Sequence, residues 1–180
     1  NNPESQMVAV TVRAGSKAEM ALPDGTFVHL NAATNLEYDV NNSKQRLVKL
    51  SGEAFFDVAK NPDCPFKVII NDLQIEVVGT SFNVKTYKKD IVETSLLSGR
   101  IRISGGSLPH EYTLSPGQKA TYSAMDRTLR ISKADAHVEA GWRDNYLIFE
   151  STPLIDVIAQ IERWYGVEIR LHHKQIAQDL

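Results

Sequence analysis

The fold class follows from the stretch KAEMALPDGTFVHL, residues 17–30. Two runs of strand-forming residues flank Pro23-Asp24-Gly25 in its middle. Asp and Gly both tolerate positive φ, so an Asp-Gly pair between two such runs is a strong signal of a β-hairpin. The stretch therefore predicts two antiparallel strands joined by a tight turn.

Short runs of the same kind recur up to about residue 132, with Gly, Pro, Asn or Asp at most of the joints. Many short strands spaced roughly 8–12 residues apart are typical of a β-sandwich or barrel. No repeat of about 20–50 residues is visible, which disfavours a propeller or a solenoid. The predicted strands are Val8–Val12, Lys17–Leu22, Thr26–Leu30, Leu47–Leu50, Ala54–Val58, Phe66–Ile70, Leu73–Val78, Ser81–Tyr87, Ile91–Leu97, Arg100–Ile103, Lys119–Ser123 and Thr128–Ile131.

We therefore predict a mainly β fold, with a jelly-roll-like β-sandwich over residues 8–132 inside a first domain that spans residues 1–134. Large apolar side chains from the middle of several strands are expected to form its core. These core residues include Phe56, Val58, Val68, Ile70, Val78, Phe82 and Val84.

The pattern changes near Trp142, after a predicted linker over residues 135–144. Tyr146–Phe149 has the composition of a strand. Thr152 and Pro153 then predict the start of a helix, with Thr152 as N-cap and Pro153 in the first helical position, where its missing N–H costs nothing. The apolar residues that follow at helical spacing are Leu154, Val157, Ile158, Ile161 and Trp164.

Gly166 is predicted to end this helix, and the alternation in Val167–Leu171 predicts a half-buried strand. We predict that residues 145–180 form a small, incomplete α+β domain of the strand–helix–strand type, because its sheet has too few strands for independent stability. A sheet with so few strands presents unpaired backbone groups to a partner strand. We expect the partner to contact Glu168, Ile169 and Arg170.

Composition excludes several classes of protein. The 180 residues are 42% hydrophobic and 23% charged, and the two signs of charge are interspersed around a net charge of −2. Because no basic stripe is present, nucleic acid is not an expected partner. No apolar run reaches about 18 residues, and the start lacks the layout of a signal peptide, so we expect any membrane anchor to lie upstream of this chain.

The ionisable residues do not form a recognisable active site. Glu53 and Asp57 lie four residues apart on one predicted strand, roughly 13 Å at the usual rise, whereas the two glycosidase mechanisms need about 5–5.5 or 6.5–9.5 Å. Both are interpreted as solvent-side or turn-bonding carboxylates. The pair His172-His173 points to opposite faces of a strand, and the single Cys64 has no activating neighbour in sequence. We therefore predict no catalytic residues, no metal site and no cofactor.

Several glycine-centred segments follow one another along the chain. They are Leu22–Thr26, Val28–Asn31, Gly52–Val58, Phe66–Val68, Val78–Val84, Leu96–Ile101 and Leu114–Ala120, followed by Phe149, Thr152–Leu154, Val157-Ile158 and Arg163–Val167. Taken together, the segments up to Ala120 resemble the extracytoplasmic domain of FecR-like anti-sigma factors. The C-terminal residues are similar to the domain that follows it in many of these proteins, itself similar to the secretin/TonB short N-terminal domain.

The resemblance implies the periplasmic part of a single-pass inner-membrane protein in cell-surface signalling. The implied partner is the signalling domain of a TonB-dependent outer-membrane transporter, whose message reaches an extracytoplasmic-function sigma factor and so regulates transcription. The sigma factor would be bound only by a cytoplasmic segment that this chain does not contain. The family supplies no catalytic, metal or cofactor residues.

A carbohydrate-binding β-sandwich of the cell envelope is the alternative. A sugar site needs exposed aromatic platforms. Trp164 lies on the apolar stripe of the predicted helix and Trp142 lies at the predicted joint between domains. Trp164 is therefore interpreted as a core residue rather than a platform, which leaves the six tyrosines as weak support for a sugar site. Protein–protein contact is the leading interpretation.

Overall fold

The computed structural model describes residues 6–40 and 46–171. Fourteen strands are followed by two short helices and one longer helix. The strands are β1 (Met7–Val12), β2 (Ala18–Ala21), β3 (Phe27–Leu30), β4 (Thr34–Asp39), β5 (Arg46–Ser51), β6 (Glu53–Asp57), β7 (Phe66–Ile70), β8 (Leu73–Val77), β9 (Ser81–Lys85), β10 (Ile91–Ser98), β11 (Ile101–Gly105), β12 (Tyr112–Leu114), β13 (Gln118–Ser123) and β14 (Thr128–Lys133). The helices are α1 (Ala136–Ala140), a 3₁₀ helix (Gly141–Asp144) and α2 (Leu154–Tyr165).

The strands form two seven-stranded sheets that pack face to face, so the predicted β-sandwich is confirmed. Sheet A has the order β1-β4-β5-β7-β8-β11-β12, and sheet B has the order β14-β13-β10-β9-β6-β3-β2. The chain switches between sheets after every one or two strands. All pairings are antiparallel except that of β5 with β7, which are joined by a crossover through β6 in the other sheet.

The hairpin predicted at Asp24-Gly25 joins β2 to β3. Gly25 adopts a φ of +84°, and the Asp24 carboxylate accepts hydrogen bonds from the backbone N–H and the hydroxyl of Thr26. The turn is thus built from the residue types that made it recognisable.

One core lies between the sheets, and the predicted core residues belong to it with one exception. At its centre the ring of Phe56 packs against the rings of Phe66 and Phe82, with centroid distances of 5.9 and 5.2 Å. The prediction for Val78 is wrong, because 38% of its surface is exposed. β8 ends at Val77, which takes the last inward position, and Val78 begins the turn that follows.

Two strands, β4 and β12, were not predicted. In β4 the inward residues Leu36 and Tyr38 alternate with Asn35, Glu37 and Asp39, all of which have low strand propensity. Pairing with β1 on one side and β5 on the other overrides that propensity.

The C-terminal part differs from the prediction in several ways. The helix is confirmed, but Pro153 rather than Thr152 is its N-cap, and no side chain caps its first turn. The prediction of a strand on each side of the helix is wrong, because neither 146–149 nor 167–171 joins a ladder. A segment with strand composition becomes a strand only beside a partner, and within the described residues neither segment has one. His172 and His173 lie outside the described residues.

The segment predicted as a linker, residues 135–144, is largely helical and packs on the outer face of sheet B. Trp142 is only 5% exposed and contacts Phe55, which points outward from β6. Ala140, Leu97 and Trp164 complete this second, smaller apolar cluster. Sheet B is therefore covered on both faces at this point, by the core on one side and by the C-terminal helices on the other.

Candidate functional site

The residues predicted to contact a partner lie in the irregular segment after α2. Glu168 and Arg170 are exposed and form an ion pair with each other, with Nε–Oε1 and Nη2–Oε2 distances of 3.0 and 3.2 Å. Ile169 is half-buried, and its backbone N–H donates to the Glu162 carboxylate at 2.8 Å. The structure thus places the three residues side by side on the surface, while the N–H of Ile169 is already bonded within the chain.

Exposed apolar side chains concentrate around this segment. Most of the large hydrophobic side chains that are exposed among the described residues belong to residues 146–171, although this is a small part of the chain. Large exposed apolar patches mark interaction surfaces more often than single exposed residues do. These side chains are Tyr146, Ile148, Phe149, Ile155, Tyr165, Val167 and Leu171.

Glu53 is a buried charged residue that the sequence interpretation missed. Its interpretation as a solvent-side or turn-bonding carboxylate is wrong, since the residue is only 6% exposed and lies on β6. Its two carboxylate oxygens accept from the side-chain amides of Asn31 at 2.7 Å and Asn83 at 3.0 Å. Asp57 on the same strand is exposed and accepts from Ser81, as a surface carboxylate was expected to do. The available signal was the run Ala54-Phe55-Phe56, since adjacent apolar residues indicate a strand covered on both faces.

The Glu53 network extends into the C-terminal helices. The indole N–H of Trp142 donates to Asn83 Oδ1 at 3.1 Å. Gln160, Arg163 and Trp164 of α2 line, together with Glu53, a cavity of only about 10 Å³, so that α2 closes over the carboxylate. Burial raises the pKa of Glu53, and nearby Lys85 and the two amide hydrogen bonds oppose that rise only in part.

A cleft of about 590 Å³ opens beside this network, between the outer face of sheet B and the C-terminal helices. Its walls carry charges of both signs that pair with one another. Lys119 bonds to Glu139 at 2.6 Å and lies 3.6 Å from Glu93, which in turn lies 3.8 Å from Lys85. Glu93 and Glu139 are thus each paired with a lysine.

The remaining reactive side chains occupy separate places. His29 contacts Glu19 and the rings of Phe27 and Phe55, and His110 stacks on Tyr112. Over residues 6–40 and 46–171, no three His, Cys, Asp or Glu side chains are grouped so that they could hold a metal ion. In the same part of the chain, no helix has the length and apolarity needed to cross a bilayer.

Comparisons with known proteins agree with this architecture. The family model described as FecR protein matches residues 8–102, and the model described as FecR, C-terminal matches residues 146–180. A 2.50 Å crystal structure of a "putative anti-sigma factor" from Parabacteroides distasonis is similar, with 32% identity, a TM-score of 0.83, and coverage of 91% of this chain and 76% of that one. A 1.65 Å structure described in the same words has 32% identity, a TM-score of 0.82, and coverage of 89% and 76%. A comparison with curated proteins gave no match.

Proposed function

Because this chain belongs to the FecR family of anti-sigma factors, we propose that it is the periplasmic sensor region of a transmembrane anti-sigma factor. In this role it receives a signal from a TonB-dependent outer-membrane transporter by direct protein contact. It relays that signal toward an extracytoplasmic-function sigma factor, which a cytoplasmic segment outside this chain would bind. The role is regulatory rather than enzymatic.

The observation that carries the proposal is the apolar surface of residues 146–171. Val167 and Tyr165 are 51% and 64% exposed beside the ion pair of Glu168 and Arg170. An apolar patch with a polar rim is the usual anatomy of a protein–protein contact. We therefore place the transporter's signalling domain against Glu168, Ile169, Arg170 and the apolar residues around them.

The alternative, a carbohydrate-binding module, has little support from the two tryptophans. Trp142 is buried against Phe55, and Trp164 is half-buried beneath Lys17, whose ammonium lies 3.5 Å from the centre of the indole. Neither tryptophan offers the open ring face that a sugar would stack on. Protein contact is the function that the exposed surface supports best.

Calorimetric titration with the purified signalling domain of the transporter tests the proposal. We expect Val167→Asp to weaken binding by about tenfold or more, because it places a charge in the centre of the apolar contact. Ile169→Pro should also weaken binding, since it removes the backbone donor bonded to Glu162.

Val78→Asp is the matched control, because Val78 is also an exposed valine but lies at a turn of the sandwich. The control should bind like the unaltered protein. Unchanged affinity in both the Val167 and the Ile169 variants, with the sandwich still folded, would exclude this surface as the binding site.

A further inference from the structure

The C-terminal helices attach to the sandwich by the apolar cluster around Trp142 and by a small set of further contacts, and α2 itself contributes little buried apolar surface. We use the name helical unit for residues 136–166, which comprise α1, the 3₁₀ helix, α2 and the segment between them. Within α2 only Ile158 is buried, at 9% exposure, whereas Ile155 on the same helix is 58% exposed. An element with few buried apolar contacts belongs to the part of a protein that opens at low free energy.

One attachment is a close approach of two backbones. Gly15, in the turn after β1, donates its N–H to the carbonyl of Arg163 at 2.8 Å. A Cβ on Gly15 would lie 3.3 Å from the carbonyl oxygen of Tyr165 and 3.4 Å from Cα of Gly166. A Cβ on Gly166 would likewise lie 3.3 Å from the carbonyl oxygen of Ala14. Both glycines have positive φ, so the contact depends on two residues without side chains.

The other attachments are the apolar cluster of Phe55, Leu97, Ala140, Trp142 and Trp164, and contacts that are polar or place a cation over a ring. Lys17 donates to the carbonyl of Trp142 at 2.6 Å and to Asn145 Oδ1 at 3.0 Å, and its ammonium lies over Trp164. The guanidinium of Arg163 lies 4.1 Å from the centre of the Tyr87 ring. Such contacts hold an orientation but contribute little free energy where water can reach them.

We infer that the helical unit is a releasable latch: it opens from the outer face of sheet B as one piece while the sandwich stays folded. The Gly15–Gly166 contact and Lys17 hold the closed position. Opening uncovers Phe55, Asn83 and Glu53, which in the closed position are covered by the unit itself. This inference rests on the proposed function: opening of the helical unit would carry a signal from the C-terminal surface to the sandwich.

Hydrogen exchange followed by mass spectrometry tests the latch without any partner, so its outcome is separate from that of the binding experiment. We expect Gly15→Ala to speed exchange in peptides from residues 136–166 by about tenfold, because the crowding of the new Cβ against Tyr165 and Gly166 is relieved on opening. Peptides from β6 to β9 should keep their protection.

Gly25→Ala is the matched control. Gly25 has a φ of +84° against +77° for Gly15, but a Cβ there would meet only the Ala59 side chain at an ordinary 3.8 Å. It therefore reproduces the backbone strain without the contact, and exchange in 136–166 should stay as in the unaltered protein. An equal effect of the two variants on 136–166, or an equal loss of protection in the sandwich strands, would overturn the inference.

Lys17→Met is a second variant that leaves the backbone unstrained, and Lys49→Met, at an exposed lysine paired with Glu37, is its control. Lys17→Met should speed exchange in 136–166 alone, and Lys49→Met should not. If the folded Lys17→Met protein keeps the protection of the unaltered protein in 136–166, the latch does not exist in this form.

Discussion

At the scale of the residue, Glu53 occupies a site that is arranged around its carboxylate. Asn31 Oδ1 accepts from the backbone N–H of Ala32, and Asn83 Oδ1 accepts from the indole of Trp142. Each amide is thereby oriented with its NH2 group toward Glu53. Both oxygens of the carboxylate accept one of these donors, and no buried side-chain polar atom in the described residues lacks a partner.

The protonation of Glu53 makes the stability of the folded protein depend on pH. Burial raises its pKa in the folded protein, while Lys85, Asn83, Asn31 and Arg163 act in the opposite direction. A carboxyl whose pKa is raised on folding binds its proton more tightly in the folded state. Its stabilising contribution is complete below the unfolded pKa of about 4.3 and is lost as pH rises through the folded pKa.

We expect Glu53→Gln to remove this part of the pH dependence. The variant should also be less stable by about 1–3 kcal/mol, because the new NH2 group faces an amide donor and leaves a buried hydrogen bond unmade. Urea unfolding at a series of pH values above about 4 measures both effects. Glu37→Gln, at a carboxylate whose side chain is 39% exposed, is the control. A Glu53→Gln protein that loses stability with rising pH as the unaltered protein does would contradict the assignment.

At the scale of the element, α2 combines a well-defined end with a weakly buried face. Gly166 adopts a φ of +66° and donates its N–H to the carbonyl of Glu162, which terminates the helix as its position in the sequence predicted. Leu154, Val157, Ile161 and Trp164 are half-buried and only Ile158 is buried. The apolar stripe therefore faces the sandwich, but the sandwich covers only its centre.

Two isoleucines of α2 allow a matched test of this packing. Ile158→Ala should destabilise the closed position of α2 by about 2 kcal/mol, the low end for an isoleucine in a core, because the helix is packed on one side only. Ile155→Ala should change the stability of the closed position of α2 by less than about 0.5 kcal/mol. The rate of tryptic cleavage after Arg163 reports the open fraction of the helix. Equal cleavage rates in the two variants would show that Ile158 does not anchor the helix.

At the scale of the whole molecule, two surfaces of different character lie on one sandwich. The outer face of sheet A carries paired charges, such as Lys67 with Glu76 and Glu76 with Arg102. The outer face of sheet B carries Phe55 and Asn83, and the helical unit packs on it. The helical unit thus covers one outer face of the sandwich and not the other.

We expect the purified, tag-free protein to contain far less than one equivalent of zinc and to show no hydrolase activity. The reason is that the described residues contain no group of three His, Cys, Asp or Glu side chains that could hold a metal ion, and that Glu93 and Glu139 of the cleft are paired with Lys119. Elemental analysis and assays on chromogenic esters and glycosides measure these properties. Stoichiometric zinc that survives dialysis against a chelator would refute the first expectation.

The sequence by itself determined those features that are set within a short segment. The hairpin at Asp24-Gly25 and the end of α2 at Gly166 depend on residues that tolerate positive φ, and this property is visible without a structure. The inward positions of Phe82 and Val84 follow from the alternation of apolar and polar residues along β9.

Only the tertiary structure decided which outward faces are covered and which segments find a strand partner. Glu53 is buried because Trp142 and α2, distant along the chain, lie over its strand. Residues 146–149 have the composition of a strand but no neighbour to pair with among the described residues. Local periodicity encodes the orientation of a side chain relative to its own backbone, whereas burial and pairing depend on what a remote part of the chain places against it.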